Sequence, residues 1–232
     1  MLIVVFAAWE VAYTKRGRSA LVPPHLFSHP SFTGGVILAL VYFAAFTSIF
    51  FTISLLWQSG LGHSALASGV VSIPFAIGSI IASSRSNQLA QKLGRTVLVL
   101  GAGLLTIGLV WIWLVLRLGP VGLTHWDLLL PLFIAGLGNG AFIAPNAQFI
   151  IATVDRAEAG AASGVISTMQ RVGSAVGIAI IGSVLFGSLV ITGPDTVASG
   201  FTAAAADAML VSACFSFAAL LLVFTLPKRT GH

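Results

Sequence analysis

Six long apolar stretches divide this chain, each set off from the next by a polar, charged or glycine-rich break. They fall at about 32–57, 66–84, 96–116, 128–152, 161–190 and 208–226. A bilayer core is crossed by roughly 20 apolar residues in a helix, and every stretch supplies about that length with few or no charges inside. Barrel strands alternate in and out over about ten residues, and these runs do not alternate. The pattern predicts an all-α polytopic membrane protein built as a six-transmembrane-helix bundle. Residues 1–12, MLIVVFAAWEVA, read as the tail of a preceding transmembrane helix. They are too short to span, and they show neither the basic leader nor the small-residue cleavage site of a secretory signal. The resulting plan is a tail at 1–12, a cytoplasmic or interfacial linker at 13–31, the six-helix bundle at 32–226 and a cytoplasmic tail at 227–232. On this plan the chain is expected to begin inside a larger membrane protein, and Met1 need not be a native start.

The charges between the stretches give an orientation. Lys15, Arg16 and Arg18 precede the first stretch, and the next gap, 58–65, is uncharged. Arg85, Lys92 and Arg95 fill the second gap; the third sets Arg117 against Asp127. Arg156 stands with Asp155 and Glu158 in the fourth, Asp195 and Asp207 stand without a base in the fifth, and Lys228 and Arg229 close the chain. Cytoplasmic loops carry the excess of Lys and Arg. Helices 32–57, 96–116 and 161–190 are therefore expected to run from the cytoplasm outwards and the other three to return. Trp57, Trp111, Trp113 and Trp126 then fall near outer ends, where an aromatic belt forms. The expected location is the plasma (bacterial inner) membrane, multi-pass, with the linker and the C-terminus cytoplasmic.

Composition strengthens this reading and removes others. Hydrophobic residues make up 57% of the chain and charged ones 7%, with a mean hydropathy of +1.04; a soluble domain carries roughly 25% charged residues. The partner for most of the surface is the lipid bilayer. The net charge of +5 and pI near 10.2 do not point to nucleic acid, because the bases are dispersed and no basic face with interleaved aromatics exists. Cys214 is the single cysteine, so no intrachain disulfide forms, and it reads as a small hydrophobe. No HExxH, GxSxG or P-loop pattern occurs, and no cofactor or metal site is indicated. His25, His29, His63, His125 and His232 all lie outside the apolar stretches. Asp155 and Glu158, with Arg156 between them, read as a solvated ion-pair cluster contributing roughly 0–1 kcal/mol per pair.

Within the stretches, small residues recur four apart: Gly136 and Gly140, Gly160 and Gly164, Gly173 and Gly177, with Ala175, Ala179 and Ser183 continuing the last stripe. Such spacing lets backbones approach closely where lipid supplies no hydrophobic drive for association. Pro74, Pro131 and Pro145 lie within or at the start of spanning segments, where a bundle re-satisfies the freed carbonyls. Buried polar groups are the candidates for a substrate pathway. Asn139 sits near mid-depth; Asn146, Gln148 and Gln170 lie nearer the cytoplasm. Tyr42, Thr47 and Ser48 either face the path or bond their own backbone. Arg171 is the charge well inside a predicted helix, and such a charge costs at least about 2.5–3.5 kcal/mol at the bilayer centre. It either faces the bundle interior or snorkels to lipid phosphate.

The segment Ser84 to Arg95 reads as a short cytoplasmic turn with bases at both ends. It resembles the second copy of the loop signature of the major facilitator superfamily, roughly G-x-L-A-D-R-x-G-R. Leu89, Ala90, Lys92, Gly94 and Arg95 align with it, one spacing difference aside, while Gln91 stands at the acidic position. Residues 136–145, GLGNGAFIAP, resemble the fourth helix of a six-helix half, and 160–164 with 170–177 resemble the fifth. Leu55 to Gln58, followed by Gly62 to Ala65 and Gly69, resemble the outer end of the first helix and the start of the second. The set covers about residues 20–190 and resembles the fourteen-helix drug:proton antiporter branch.

That resemblance implies the C-terminal half of an efflux transporter working by alternating access. It would draw energy from a proton gradient, export small amphiphilic substrates and pair with an N-terminal transporter half. Arg85, Gln91, Lys92, Gly94 and Arg95 would form a cytoplasmic gating loop, its bases pairing with acids of the other half. The family's proton-binding carboxylates belong to that other half, and the only acids near these helices, Asp127 and Asp207, are expected at helix edges. The chain is expected not to couple transport to protons alone. The rival reading is a non-transporting membrane protein fragment or a structural partner subunit; an intramembrane enzyme lacks any candidate dyad.

Overall fold

The computed structural model describes residues 24–119, 123–152 and 154–226. The expected helix tail at 1–12, most of the linker with Lys15, Arg16 and Arg18, and the tail with Lys228, Arg229 and His232 lie outside the described residues. Seven α-helices follow in order: α1 Pro30–Leu55, α2 Ala65–Val71, α3 Ile73–Leu93, α4 Thr96–Leu118, α5 His125–Ile151, α6 Ala159–Ser188 and α7 Val197–Val223. A π-helical turn, Leu56–Gly60, extends α1, and 3-10 turns at Pro24–Ser28, Arg156–Glu158 and Pro194–Thr196 precede α1, α6 and α7. With α2 and α3 counted as one broken crossing, six helices are long and apolar enough to cross a membrane. No strand occurs among the described residues.

The helix ends follow from local chemistry. Pro30 opens α1 at a position where a missing N–H costs nothing. Ser64 caps α2 by accepting from the Ala67 N–H at 3.2 Å. The α2–α3 break at Ser72 precedes Pro74, which has no N–H of its own to give the Val70 carbonyl. Pro131 and Pro145 interrupt α5 without ending it.

Two boundaries and one side-chain placement differ from the sequence reading. The second crossing does not end at 84: α3 runs on through Arg85, Gln91 and Lys92 to Leu93, because this polar stretch is made of good helix formers. It stops at Gly94, whose φ of +54° glycine adopts without strain. The last helix begins at Val197 instead of 208, so Asp207 lies well inside α7 rather than at its edge. Its alanine-rich start is weakly hydrophobic yet strongly helical. Trp57 is also not a belt residue; it is 2% exposed, packed in the π-helical turn with its ring 6.3 Å from that of His63.

Packing runs as a chain of neighbours: α3 on α5, α5 on α4, α4 on α7, α7 on α1 and α1 on α6. Two of the predicted glycine pairs sit where backbones meet. A Cβ on Gly136 or Gly140 would collide with the carbonyls of Phe75 and Ser79 on α3, and one on Gly173 or Gly177 with those of Leu40 and Ala44 on α1. Gly160 and Gly164 differ, since a Cβ added at either would meet nothing within 4 Å. Nor do Ala175, Ala179 and Ser183 continue the Gly173 stripe: they are exposed on the other side of α6, since residues two apart on a helix point roughly 200° apart. The core lies between α1, α4, α5 and α7. The crossings at the two ends of the chain of neighbours, 65–93 and 156–188, have 22% of their most apolar stretch buried, against 56%, 44%, 61% and 44% for the others.

Candidate functional site

The polar residues picked from the sequence form ties between helices at several depths. Near mid-length, Asn139 on α5 donates through Nδ2 to the Ser79 hydroxyl on α3 at 3.0 Å, while its Oδ1 is buried without a partner. One turn on, Phe142 stacks on Tyr42 of α1, ring centroids 3.7 Å apart and planes within 8°. Tyr42 is fully buried and its hydroxyl has no partner, so it stands in the core rather than along an open path. Thr47 of α1 bonds the Ser174 hydroxyl of α6 at 2.8 Å and donates to the Phe43 carbonyl at 2.9 Å. Ser48 is buried and donates to the Ala44 carbonyl at 2.6 Å, the backbone-bonded state of the two it was assigned.

At the end of α5, Gln148 donates to Asn87 Oδ1 of α3 at 2.8 Å. Asn146, 2% exposed, has a buried Oδ1 with no partner. It faces a cavity of about 20 Å³, shared with Ser31, Gly35, Arg95 and Leu226, which is room for about one water. Gln170 is half-buried and Arg171 is exposed on α6, on the side away from the Gly173 and Gly177 contact with α1. Of the two placements open for Arg171, a helix tether inside this bundle is not what the structure shows.

The basic segment, expected as a short turn, is helical as far as Leu93. Arg85, Gln91 and Lys92 are exposed on the last turns of α3. Arg95 turns inward. Its guanidinium donates to the Phe224 carbonyl at 3.1 Å and to that of Leu226, and lies 5.8 Å over the Phe224 ring. It thus satisfies carbonyls that the C-terminus of α7 leaves without intrahelical donors. The acidic cluster of the fourth gap is also rearranged. Glu158 pairs with His25 at 3.0 Å, joining the turn before α1 to the start of α6, while Asp155 and Arg156 form no ion pair among the described residues.

Sequence reasoning missed Ser79, Asn87 and Ser174 as partners, and the Thr106–Ser216 bond (2.8 Å) that ties α4 to α7. Single hydroxyls in apolar runs carry no signal of which helix they will meet. Ser79, next to Gly78 and one turn before Ser83, is the exception, because small residues mark a close seam.

Comparison with known proteins agrees with this architecture. The chain is 31% identical over 189 residues to a probable actinorhodin transporter of Streptomyces coelicolor, covering 81% of this chain and 33% of that protein. It is 27% identical over 227 residues to a cephamycin export protein of Amycolatopsis lactamdurans, covering 97% and 45%. A multidrug efflux pump of Mycolicibacterium smegmatis is 28% identical over 182 residues, covering 78% and 35%. The chain thus spans less than half the length of these relatives. Residues 3–178 match the Major Facilitator Superfamily, and this chain, with six helices among its described residues long and apolar enough to cross a membrane, belongs to that family.

Proposed function

We propose that this chain acts as the C-terminal six-helix half of an exporter of drug-like amphiphilic small molecules. It works with an N-terminal half by proton-coupled alternating access, in the plasma membrane, with its linker and C-terminus cytoplasmic. The observation that carries the reading is the uneven burial of the bundle. The crossings formed by α2–α3 and by α6 have the smallest buried share, 22% each. The open side of α6 includes a small and polar face, Ser163, Gly164, Ser167, Thr168, Arg171 and Ala175, which lies beside exposed Val172, Val176 and Ile180. Lipid gives such a face nothing to gain, whereas a second helical bundle packs closely on small residues and satisfies polar ones. Between bundles of this kind a substrate site lies near the midplane, the depth of Asn139 and Ser79. The relatives named for export of actinorhodin, cephamycin and multiple drugs support the substrate class.

Efflux of a fluorescent cationic dye from cells expressing the chain, with and without a co-expressed N-terminal half, tests this reading. Proton-dependent efflux is expected only with both halves. Efflux driven by the chain alone would overturn the assignment of proton coupling to the other half. In the paired protein, Arg171→Leu is expected to lower efflux at least about tenfold, the loss of about 1.4 kcal/mol of transition-state stabilisation. Unchanged efflux removes Arg171 from the pathway.

A further inference from the structure

We propose that the turn Pro24–Ser28 is a releasable clasp. Leu26 plugs a small core separate from the main one, His25 aligns it on Glu158, and its release lets the first third of α6 part from α1 while the rest of the bundle stays packed.

The buried apolar residues fall into two clusters that share no member. The smaller one packs Leu26 against Phe32 and Val36 of α1, Ile150 at the end of α5, and Ala162, Val165 and Ile166 of α6. Helix α6 is divided between the two. Its buried residues in the first third all belong to the smaller cluster, whereas Ile181 and Leu185 belong to the larger. Between them, α6 is fixed to α1 where Gly173 and Gly177 approach the carbonyls of Leu40 and Ala44, and by the Thr47–Ser174 bond. That contact is the pivot. On the side of α6 away from the small cluster, Gly160, Ser163, Gly164, Ser167 and Thr168 are exposed. A segment held by so few buried apolar contacts opens at a lower free energy than the whole fold.

The turn is built to move with α1. The Ser28 hydroxyl donates to the His25 carbonyl and the Thr33 hydroxyl to the Phe27 carbonyl, and the rings of Phe27 and Phe32 meet edge to face at 5.6 Å. Parting therefore runs between this unit and α6. Leu26 is 1% exposed, while His25, Phe27 and Ser28 around it are exposed, so a single leucine anchors the turn. His25 Nε2 lies 3.0 Å from the carboxylate of Glu158, the residue before α6. The His25 side chain is 56% exposed, and a solvated pair of this kind contributes little. It sets the register of the plug; burial of the leucine does the holding. If α6 faces a second bundle, the opening moves its Ser163 and Ser167 side independently of the main core, but the clasp itself does not rest on that reading.

Labelling of buried cysteines tests the clasp, using the full chain in detergent micelles with Cys214→Ser as background. Val165→Cys reports the small cluster and Ile181→Cys the large one. A soluble maleimide is expected to react faster at 165 than at 181, because the clasp opens without global unfolding. Leu26→Ala is expected to raise the rate at 165 at least about tenfold, within what truncating a buried leucine supports, and to leave the rate at 181 unchanged. Leu26→Met, which conserves volume, is expected to change it by less, and His25→Gln to raise it by up to about fivefold. An unchanged rate at 165 on Leu26→Ala overturns the proposal. So does an equal rise at 181, which would make Leu26 a contributor to overall stability and no clasp. A His25→Gln effect as large as that of Leu26→Ala overturns the assignment of the holding to Leu26. No second bundle takes part, so failure here leaves the transporter reading standing, and absence of efflux leaves the clasp standing.

Discussion

Arg95 holds the end of α7 rather than reaching outward. Its Nη1 donates to the Phe224 and Leu226 carbonyls and its guanidinium carbon lies 5.8 Å from the Phe224 ring centroid, a combination that the compact ammonium of a lysine reproduces only in part. Arg95→Ala is therefore expected to destabilise the isolated chain by about 1.5–3 kcal/mol, the worth of hydrogen bonds to a charged group, with Arg95→Lys intermediate. Thermal unfolding in detergent micelles measures it. A residue serving only to pair with another transporter half would leave the melting temperature of this chain unchanged. Asn146 makes the converse case. Its Oδ1 is buried with no protein partner beside a cavity with room for about one water. If a water bridges it there, Asn146→Leu displaces that water and fills the space. The change is expected to be neutral or stabilising by up to about 1 kcal/mol, since replacing an imperfectly satisfied polar group by an apolar one removes a desolvation cost. A melting temperature lowered as far as by Arg95→Ala would show that Asn146 is well bonded.

Helix pairing depends on which glycines meet backbone. Gly136→Ala and Gly140→Ala push a methyl into the carbonyls of Phe75 and Ser79, and overpacking of this kind costs about 1–3 kcal/mol. Gly160→Ala and Gly164→Ala meet nothing within 4 Å and relieve glycine's helical penalty of up to about 1 kcal/mol. The first pair is expected to lower the melting temperature of the chain and the second to hold or raise it. Equal effects from both pairs would mean that the α3–α5 seam is not set by these residues. The same contrast shows what the sequence made legible. Length, hydropathy and charge placed six crossings, because the bilayer demands uninterrupted apolar runs. The period of four exposed small residues but not their partners, and so Gly160 and Gly164 looked identical to Gly136 and Gly140. Boundaries were misread where helix propensity and hydropathy disagree: 85–93 is polar yet helical, and 197–207 is alanine-rich and only weakly apolar. The ties Asn139–Ser79, Gln148–Asn87 and Thr47–Ser174 were half visible, one member each, since the second member is a hydroxyl or amide on a helix that only packing brings near.

At the scale of the whole molecule, everything turns on the side of the membrane to which each loop is assigned. An odd number of crossings separates the loop at 61–64 from the segment around Gly94, and the second of these carries the bases. On the proposed topology, cytoplasmic retention of Lys and Arg would put Arg85, Lys92 and Arg95 inside and His63 outside. The single native cysteine makes the arrangement accessible to experiment. Cys214 is exposed on α7 and is removed as Cys214→Ser. In that background, Gly62→Cys and Gln91→Cys, each at an exposed position, report their compartments through a membrane-impermeant maleimide applied to intact cells. Gly62 needs care, because its φ of +70° is unfavourable for a side chain, so His63→Cys serves as its companion. Labelling is expected at 62 and 63 in intact cells, and at 91 only after the membrane is opened. If both loops react from the same side, the crossing formed by α2 and α3 does not traverse the bilayer. The charge alternation then loses its meaning, and the pairing of this bundle with a second half across the α2–α3 and α6 faces loses its geometry as well.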